Sequence, residues 1–112
     1  MWIMETTEAA RRLEALGNPT RLAVYRVLVR AGPEGLTFGA IQGLVGGAGS
    51  TLSHHVATLA RAGLIEQERR GRETLNRVCY DDMNALLEYL TRECCQGVPV
   101  TSVDAPDETA AA

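Results

Sequence analysis

A mainly α-helical chain with one small β-hairpin, an α+β protein, is the fold class that these 112 residues predict. Three observations point to it. Apolar residues recur at helical spacing in several separate stretches, each bounded by Gly, Pro or Asn. Two segments with strand character, Leu64–Arg69 and Glu73–Cys79, flank a tight Arg-Gly turn. Immediately before them, AGSTLSHHVATLARAG reads as a short helix with a polar outer face.

The first helix is expected from Thr6 or Thr7 to Leu16, with Ala10, Leu13 and Leu16 as its apolar stripe and Gly17 as its terminator. Asn18 caps a second helix that begins at Pro19, where a missing N–H costs nothing because that donor has no partner within the helix. Leu22, Tyr25, Leu28 and Val29 supply its inward face, and Gly32-Pro33 closes it. A third, shorter helix should begin after Thr37 and use Ile41, Leu44 and Val45. Gly39 and Gly43 each cost it about 1 kcal/mol relative to Ala, which makes it the least stable element.

In the fourth helix Leu52, Val56 and Leu59 face a core, while Ser50, Thr51, Ser53, His54, Thr58 and Arg61 share the outward surface. Ala48 stands where a polar cap is favoured, so the helix should start late with Ser50 as its cap, and it ends at Gly63. The hairpin turn carries three guanidinium groups, on Arg69, Arg70 and Arg72. A last helix runs from about Asp81 to Cys95, striped by Met83, Leu86, Leu87, Leu90 and Cys94, with Asp81 and Asp82 at its positive end.

A polar-faced helix running straight into an Arg-tipped hairpin suits DNA. Side chains near the start of the helix can reach base edges in a major groove about 12 Å wide. The arginines suit phosphate oxygens or a narrow minor groove. The competing reading is a solvated hairpin whose charges serve solubility; the helix directly before it favours DNA. Candidate DNA-binding residues are therefore Ser50, Thr51, Ser53, His54, Thr58, Arg61, Arg69, Arg70 and Arg72. For His55, packing at the helix edge stands beside surface exposure as an open choice.

Net charge is −3, but of the 14 acidic residues three, Asp104, Asp107 and Glu108, lie near the C-terminus, and the rest balance the 11 arginines. The length fits one domain, residues 1–96, followed by a flexible acidic tail, residues 97–112, that is poor in large apolar side chains. No apolar run approaches the roughly 18 residues of a membrane span and no signal peptide is evident, so a cytoplasmic protein without membrane partners is expected. Three cysteines in a reducing compartment suggest metal or redox chemistry rather than a disulfide framework.

The chain resembles the ArsR/SmtB family of winged-helix repressors at three separated places. These are Leu16-Gly17-Asn18-Pro19-Thr20-Arg21-Leu22, then Ser50-Thr51-Leu52-Ser53-His54-His55-Val56, and Ala62-Gly63-Leu64-Ile65 leading into the Arg-Gly-Arg turn. The resemblance covers about residues 5 to 96. It implies a winged helix-turn-helix fold, a homodimer built through the first and last helices, and double-stranded operator DNA as partner, with no cofactor required for DNA binding. It also implies that the protein is not an enzyme. The residues agree, offering no phosphate-cradling loop and no acid or base placed near the thiols.

Some relatives sense zinc through Asp and His on the last helix, and others sense trivalent arsenic or antimony through a Cys-x-Cys element on the third. Neither pattern is present. What does match is a subgroup with a Cys-Cys pair after a Tyr-Leu-Thr segment, here Tyr89-Leu90-Thr91 before Cys94 and Cys95. That match implies a repressor for which trivalent arsenic species, arsenite or methylarsenite, or else antimonite, act as inducer. Soft thiolates agree with soft ions, and the only histidines, His54 and His55, are adjacent and diverge on a helix, which disfavours zinc.

Adjacent side chains on a helix point about 100° apart, so Cys94 and Cys95 can share one ion only at a frayed final turn. The bland alternative makes Cys94 a small core residue. Arsenite takes three thiolates, and Cys79 is the only further thiol, about 15 residues and roughly 22 Å of helix from Cys94. Either Cys79 joins the pair across an antiparallel dimer, or a two-thiol site prefers a methylated arsenical. Cys79 can equally be a packed strand residue. A redox or reactive-sulfur switch using the same cysteines is the alternative function.

Overall fold

A computed structural model describes residues 4–98. The acidic tail expected from residue 97 lies outside them from residue 99 onward. The elements in order are α1 (Thr6–Leu16), α2 (Pro19–Ala31), β1 (Leu36–Thr37), α3 (Phe38–Val45), α4 (Gly49–Arg61), β2 (Ile65–Arg70), β3 (Glu73–Val78) and α5 (Tyr80–Thr91), with a single 3₁₀ turn at Gly32–Glu34. The architecture is mainly helical with one small antiparallel sheet, ordered β1-β3-β2, as the sequence predicts apart from β1.

One core joins α2, α3, α4 and the sheet. Val24, Leu28, Ile41 and Leu59 are wholly buried, with Leu52, Val56, Leu64 and Val78 around them. Burying one such side chain contributes roughly 1.5–3 kcal/mol, so this cluster fixes how α4 sits. A smaller cluster of Met4, Ala9 and Leu86, with Leu16, Ala85 and Tyr89 packed on it, ties α1 to α5. A Thr6–Tyr89 hydroxyl hydrogen bond supports the same contact.

The second helix is capped as expected: the Asn18 Oδ1 accepts from the backbone N–H of Thr20 at 2.9 Å and of Arg21 at 3.1 Å. Strand β1 is too short to give an alternating pattern. It exists because Leu36 and Thr37 pair with Asn76 and Leu75. Asn76 is buried and spends its amide on this junction, donating to the carbonyls of Leu36 and Thr74 and accepting from Gln67 Nε2 at 2.8 Å. Just before it Gly35 has φ +73, and a Cβ there would lie 2.3 Å from the Asn76 carbonyl oxygen.

Several expectations about facing are corrected. In α1 the inward residues are Ala9, Arg12 and Ala15, whereas Ala10 is exposed and Leu13 is 41% exposed. The stripe is displaced because Arg12 is buried, held by Glu8 at 3.0 Å one turn away, beneath Gly63. In α2 the buried set is Val24, Tyr25 and Leu28; at about 100° per residue Leu22 and Val29 then turn outward. In the eight-residue α3 the core takes Ile41, with Val45 packed beside it, and leaves Leu44 65% exposed. On α5 Leu86 is buried and Met83 packs on the core, but Leu87 and Leu90 are more than half exposed. Among the described residues no helix is long and apolar enough to cross a membrane.

Candidate nucleic-acid interface and thiol pair

Helices α3 and α4 and the turn between them form the helix-turn-helix. The Thr37 side chain caps α3 by accepting from the Ala40 N–H at 3.2 Å. The turn uses positive φ at Gly46 and Gly47, and the Gln42 side chain donates to the Gly47 carbonyl at 3.2 Å. That closure lets α4 begin at Gly49 with Ala48 at its cap position and no side-chain cap bond. The expected late start at a Ser50 cap is therefore incorrect; Ser50 lies in the first turn.

Along α4 Leu52, Val56 and Leu59 are buried, and Ser50, Thr51, Ser53, His54 and Arg61 are exposed, with Thr58 half-buried between the last two. Thr58 Oγ1 donates to the His54 carbonyl at 3.0 Å, and Arg61 Nη2 donates to Thr58 Oγ1 at 3.2 Å. His55 is the packed histidine. Arg21 Nη1 donates to its Nδ1 at 3.1 Å, while Arg21 Nε donates to the Ala15 carbonyl at 2.6 Å. Burial, Arg21 and His54 together hold the His55 imidazole below its ordinary pKa. Arg21 thus clamps α4 to α2, a role that sequence reasoning missed because the partners are 34 residues apart.

Strands β2 and β3 pair from Ile65↔Val78 to Arg70↔Glu73, leaving Gly71 and Arg72 as a two-residue loop. Gly71 has φ +62, as the first central position of a type II′ turn requires. The three wing arginines are not equivalent. Arg69 Nε donates back to the Gly71 carbonyl at 2.9 Å, and Arg70 pairs with Glu68 at 3.2 Å. Arg72 makes no hydrogen bond or ion pair among the described residues and is exposed. Glu68 also accepts from Arg77 at 2.8 Å, and these two arginines hold its carboxyl below the ordinary range.

The last helix stops at Thr91 rather than Cys95. Leu86 is its final buried residue, Tyr89 is half-buried, and Leu90 through Val98 are all exposed, so no burial among the described residues supports a further turn. Arg92 leaves the helix with ψ 135 and lies over the Tyr89 ring at 5.1 Å. Glu93 and Cys95 then adopt φ of 62 and 68. Outside the helix the neighbouring thiols converge: Cys94 Sγ and Cys95 Sγ are 2.9 Å apart and both residues are exposed. The reading of Cys94 as a core residue is thereby overturned. Its thiol is raised above the usual range, chiefly by the hydrogen bond with Cys95.

Cys79 sits at the N-cap position of α5, half-buried, its N–H donating to the Leu64 carbonyl at 3.0 Å. Burial, then Asp82 and Glu66, raise its thiol pKa, against a smaller opposing effect of Arg12. Among the described residues of one chain no three His, Cys, Asp or Glu side chains converge on a metal-sized site.

Comparison with known proteins agrees with this geometry. A family model described as a helix-turn-helix domain matches residues 16–68. The HTH-type transcriptional regulator YgaV of Escherichia coli (strain K12) is 28% identical over 88 residues, covering 79% of this chain and 87% of that protein. An ArsR-like transcriptional regulator from Rhodococcus sp. RHA1 has a similar structure, with a TM-score of 0.67 at 23% identity over 77% of this chain and 78% of that one. The homodimeric winged helix-turn-helix domain of Mb0332 from Mycobacterium bovis, a possible ArsR-family regulator, gives 0.61 at 27% identity over 79% of this chain and 86% of its own. Of these proteins, YgaV and the Rhodococcus protein are transcriptional regulators.

Proposed function

We propose that this helix-turn-helix transcriptional regulator, built on the winged-helix architecture of ArsR proteins, is a homodimeric repressor that leaves its operator when a trivalent arsenical bridges Cys94 and Cys95. The observation that carries the ligand is the 2.9 Å approach of two exposed sulfurs just past α5. In this reading Ser50, Thr51, Ser53 and His54 face base edges, Thr58 and Arg61 lie further along the same helix, and Arg69, Arg70 and Arg72 meet the backbone beside it.

Each arsenic–hydroxyl group would leave as water with one thiol proton, so methylarsenite with two hydroxyls condenses with two thiols and arsenite with three. The pair alone therefore suits methylarsenite. Arsenite needs Cys79 as well, which lies beyond the other end of a 12-residue helix, about 18 Å long, so only a partner subunit's thiol could complete the set. The dimer is supported by uncovered leucines on the two helices expected to form it, Leu13 on α1 and Leu87 and Leu90 on α5. Bridging the thiols reshapes the end of the dimer helix and so the spacing of two α4 helices. A coupling of about 1–3 kcal/mol would lower DNA affinity several-fold to about a hundred-fold.

Fluorescence anisotropy on promoter DNA from its own gene, titrated with arsenite and with methylarsenite under reducing conditions, tests the stoichiometry. Release by both, with only the arsenite response lost in Cys79→Ser, identifies the cross-dimer three-thiol site; release by methylarsenite alone identifies the two-thiol site. The same close, exposed pair also favours a second reading, in which an oxidant takes two electrons and two protons from the thiols and an S–S bond forms. Release by oxidant without arsenical, abolished in Cys94→Ser, would select it.

A further inference from the structure

We propose that Arg11, Arg21 and Arg61 form a second DNA contact, a phosphate-binding groove between α1, α2 and α4 that is separate from the wing. The proposal rests on the DNA-binding reading above and extends the footprint to a helix otherwise assigned only to dimerisation. A groove of about 360 Å³ is walled on one side by His54, Thr58 and Arg61 of α4 and on the other by Arg11 and Glu14 of α1 with Arg21 of α2. Three arginines against one glutamate leave it net positive, and Glu14 makes no ion pair with any of them among the described residues.

Its position follows from the dimensions of helix and duplex. The 13 residues of α4 span about 20 Å, more than the roughly 12 Å width of a major groove. With the first turn of α4 at the base edges, its last turn lies level with the phosphates bordering the groove. Arg61 is there, and Arg11 and Arg21 bracket the same point from neighbouring helices.

Two of the three guanidiniums are already held in place. Arg61 is fixed through Thr58 to the His54 carbonyl, and Arg21 through the Ala15 carbonyl and His55. Little side-chain freedom remains to be lost on binding, which is what a productive phosphate contact requires. Arg11 is exposed and makes no hydrogen bond or ion pair among the described residues, so its guanidinium fork is available to phosphate oxygens. A diester phosphate of DNA and a free phosphate anion share this chemistry.

Arg11→Ala separates the sources, because Arg11 is exposed and makes no hydrogen bond or ion pair among the described residues that the substitution would break. The full chain is titrated by anisotropy onto its promoter duplex and onto a random-sequence duplex between 50 and 200 mM salt. For a phosphate contact, affinity falls on both duplexes and the slope of log K against log salt becomes shallower by about 0.9, narrowing the variant's deficit about threefold over that range. Unchanged affinity and slope on both duplexes, with the wild type bound, overturn the groove and leave the DNA reading intact. Unchanged DNA binding together with NMR shifts of the arginine Nε–H signals on adding inorganic phosphate would reassign the groove to a free anion and also overturn the proposal. A wild type that binds neither duplex overturns both readings.

Discussion

Arg72 is the wing guanidinium with no competing partner among the described residues, since Arg69 turns back on Gly71 and Arg70 faces Glu68. Replacing Arg72 with Ala should weaken binding to unrelated sequences by similar factors and flatten the salt dependence by about one unit per lost phosphate contact. An unchanged slope in anisotropy titrations would count against the wing. Among the described residues Arg70 is held by an exposed, solvent-screened ion pair with Glu68, so DNA can draw it away at little cost. His55 gives a pH dependence. Its imidazole is held below the ordinary 6.5, so the folded chain binds fewer protons there than the unfolded chain. Stability should therefore fall as pH drops through 6.5 toward the folded value, below which that loss stops growing. In His55→Gln, whose carbonyl can still accept from Arg21, thermal melts between pH 7.5 and 5 should show a flatter acid limb; parallel curves would contradict the assignment. At this scale the Asn18 cap and the polar outer face of α4 were legible in the sequence, because each follows from local spacing. The Arg21–His55 clamp was not, because nothing local pairs those residues.

Two glycines of the same region should respond in opposite directions. Gly43 is exposed inside α3 with nothing within 4 Å of an added Cβ, so Gly43→Ala should stabilise the fold by about 1 kcal/mol. Gly35 combines positive φ with a Cβ that would strike the Asn76 carbonyl, so Gly35→Ala should cost more than about 2 kcal/mol and disturb the β1–β3 junction. Urea unfolding of both variants checks the pair, and equal signs would refute the argument. Element order was readable because Gly, Pro and Asn punctuate strong helical periodicities. Strand β1 was not, since a two-residue strand has no period and owes its existence to Asn76. The end of α5 was also misread, because the sequence pattern continues to Cys94 whereas the supporting contacts end near Tyr89.

The leucines that one chain leaves uncovered set the scale of the whole molecule. Leu13, Leu87 and Leu90 lie on the two helices that the resemblance assigns to a dimer interface, and each belongs to an apolar stripe visible in the sequence. The rotation of α1 that exposes Leu13 was not, because it depends on the burial of Arg12. Leu87→Glu places a charge on that face without touching the core. By light scattering it should shift the protein from dimer to monomer and reduce DNA binding with it; a dimer of unchanged stability would place the interface elsewhere. Coupling of thiols to DNA is the central claim, and methylarsenite-driven release of a labelled promoter duplex from wild type and from the Cys94→Ser/Cys95→Ser double variant tests it most directly. Release from the wild type with none from the double variant is the expected result. Equal release from both, or retention of DNA by a wild type shown by mass to carry the arsenical, would contradict it.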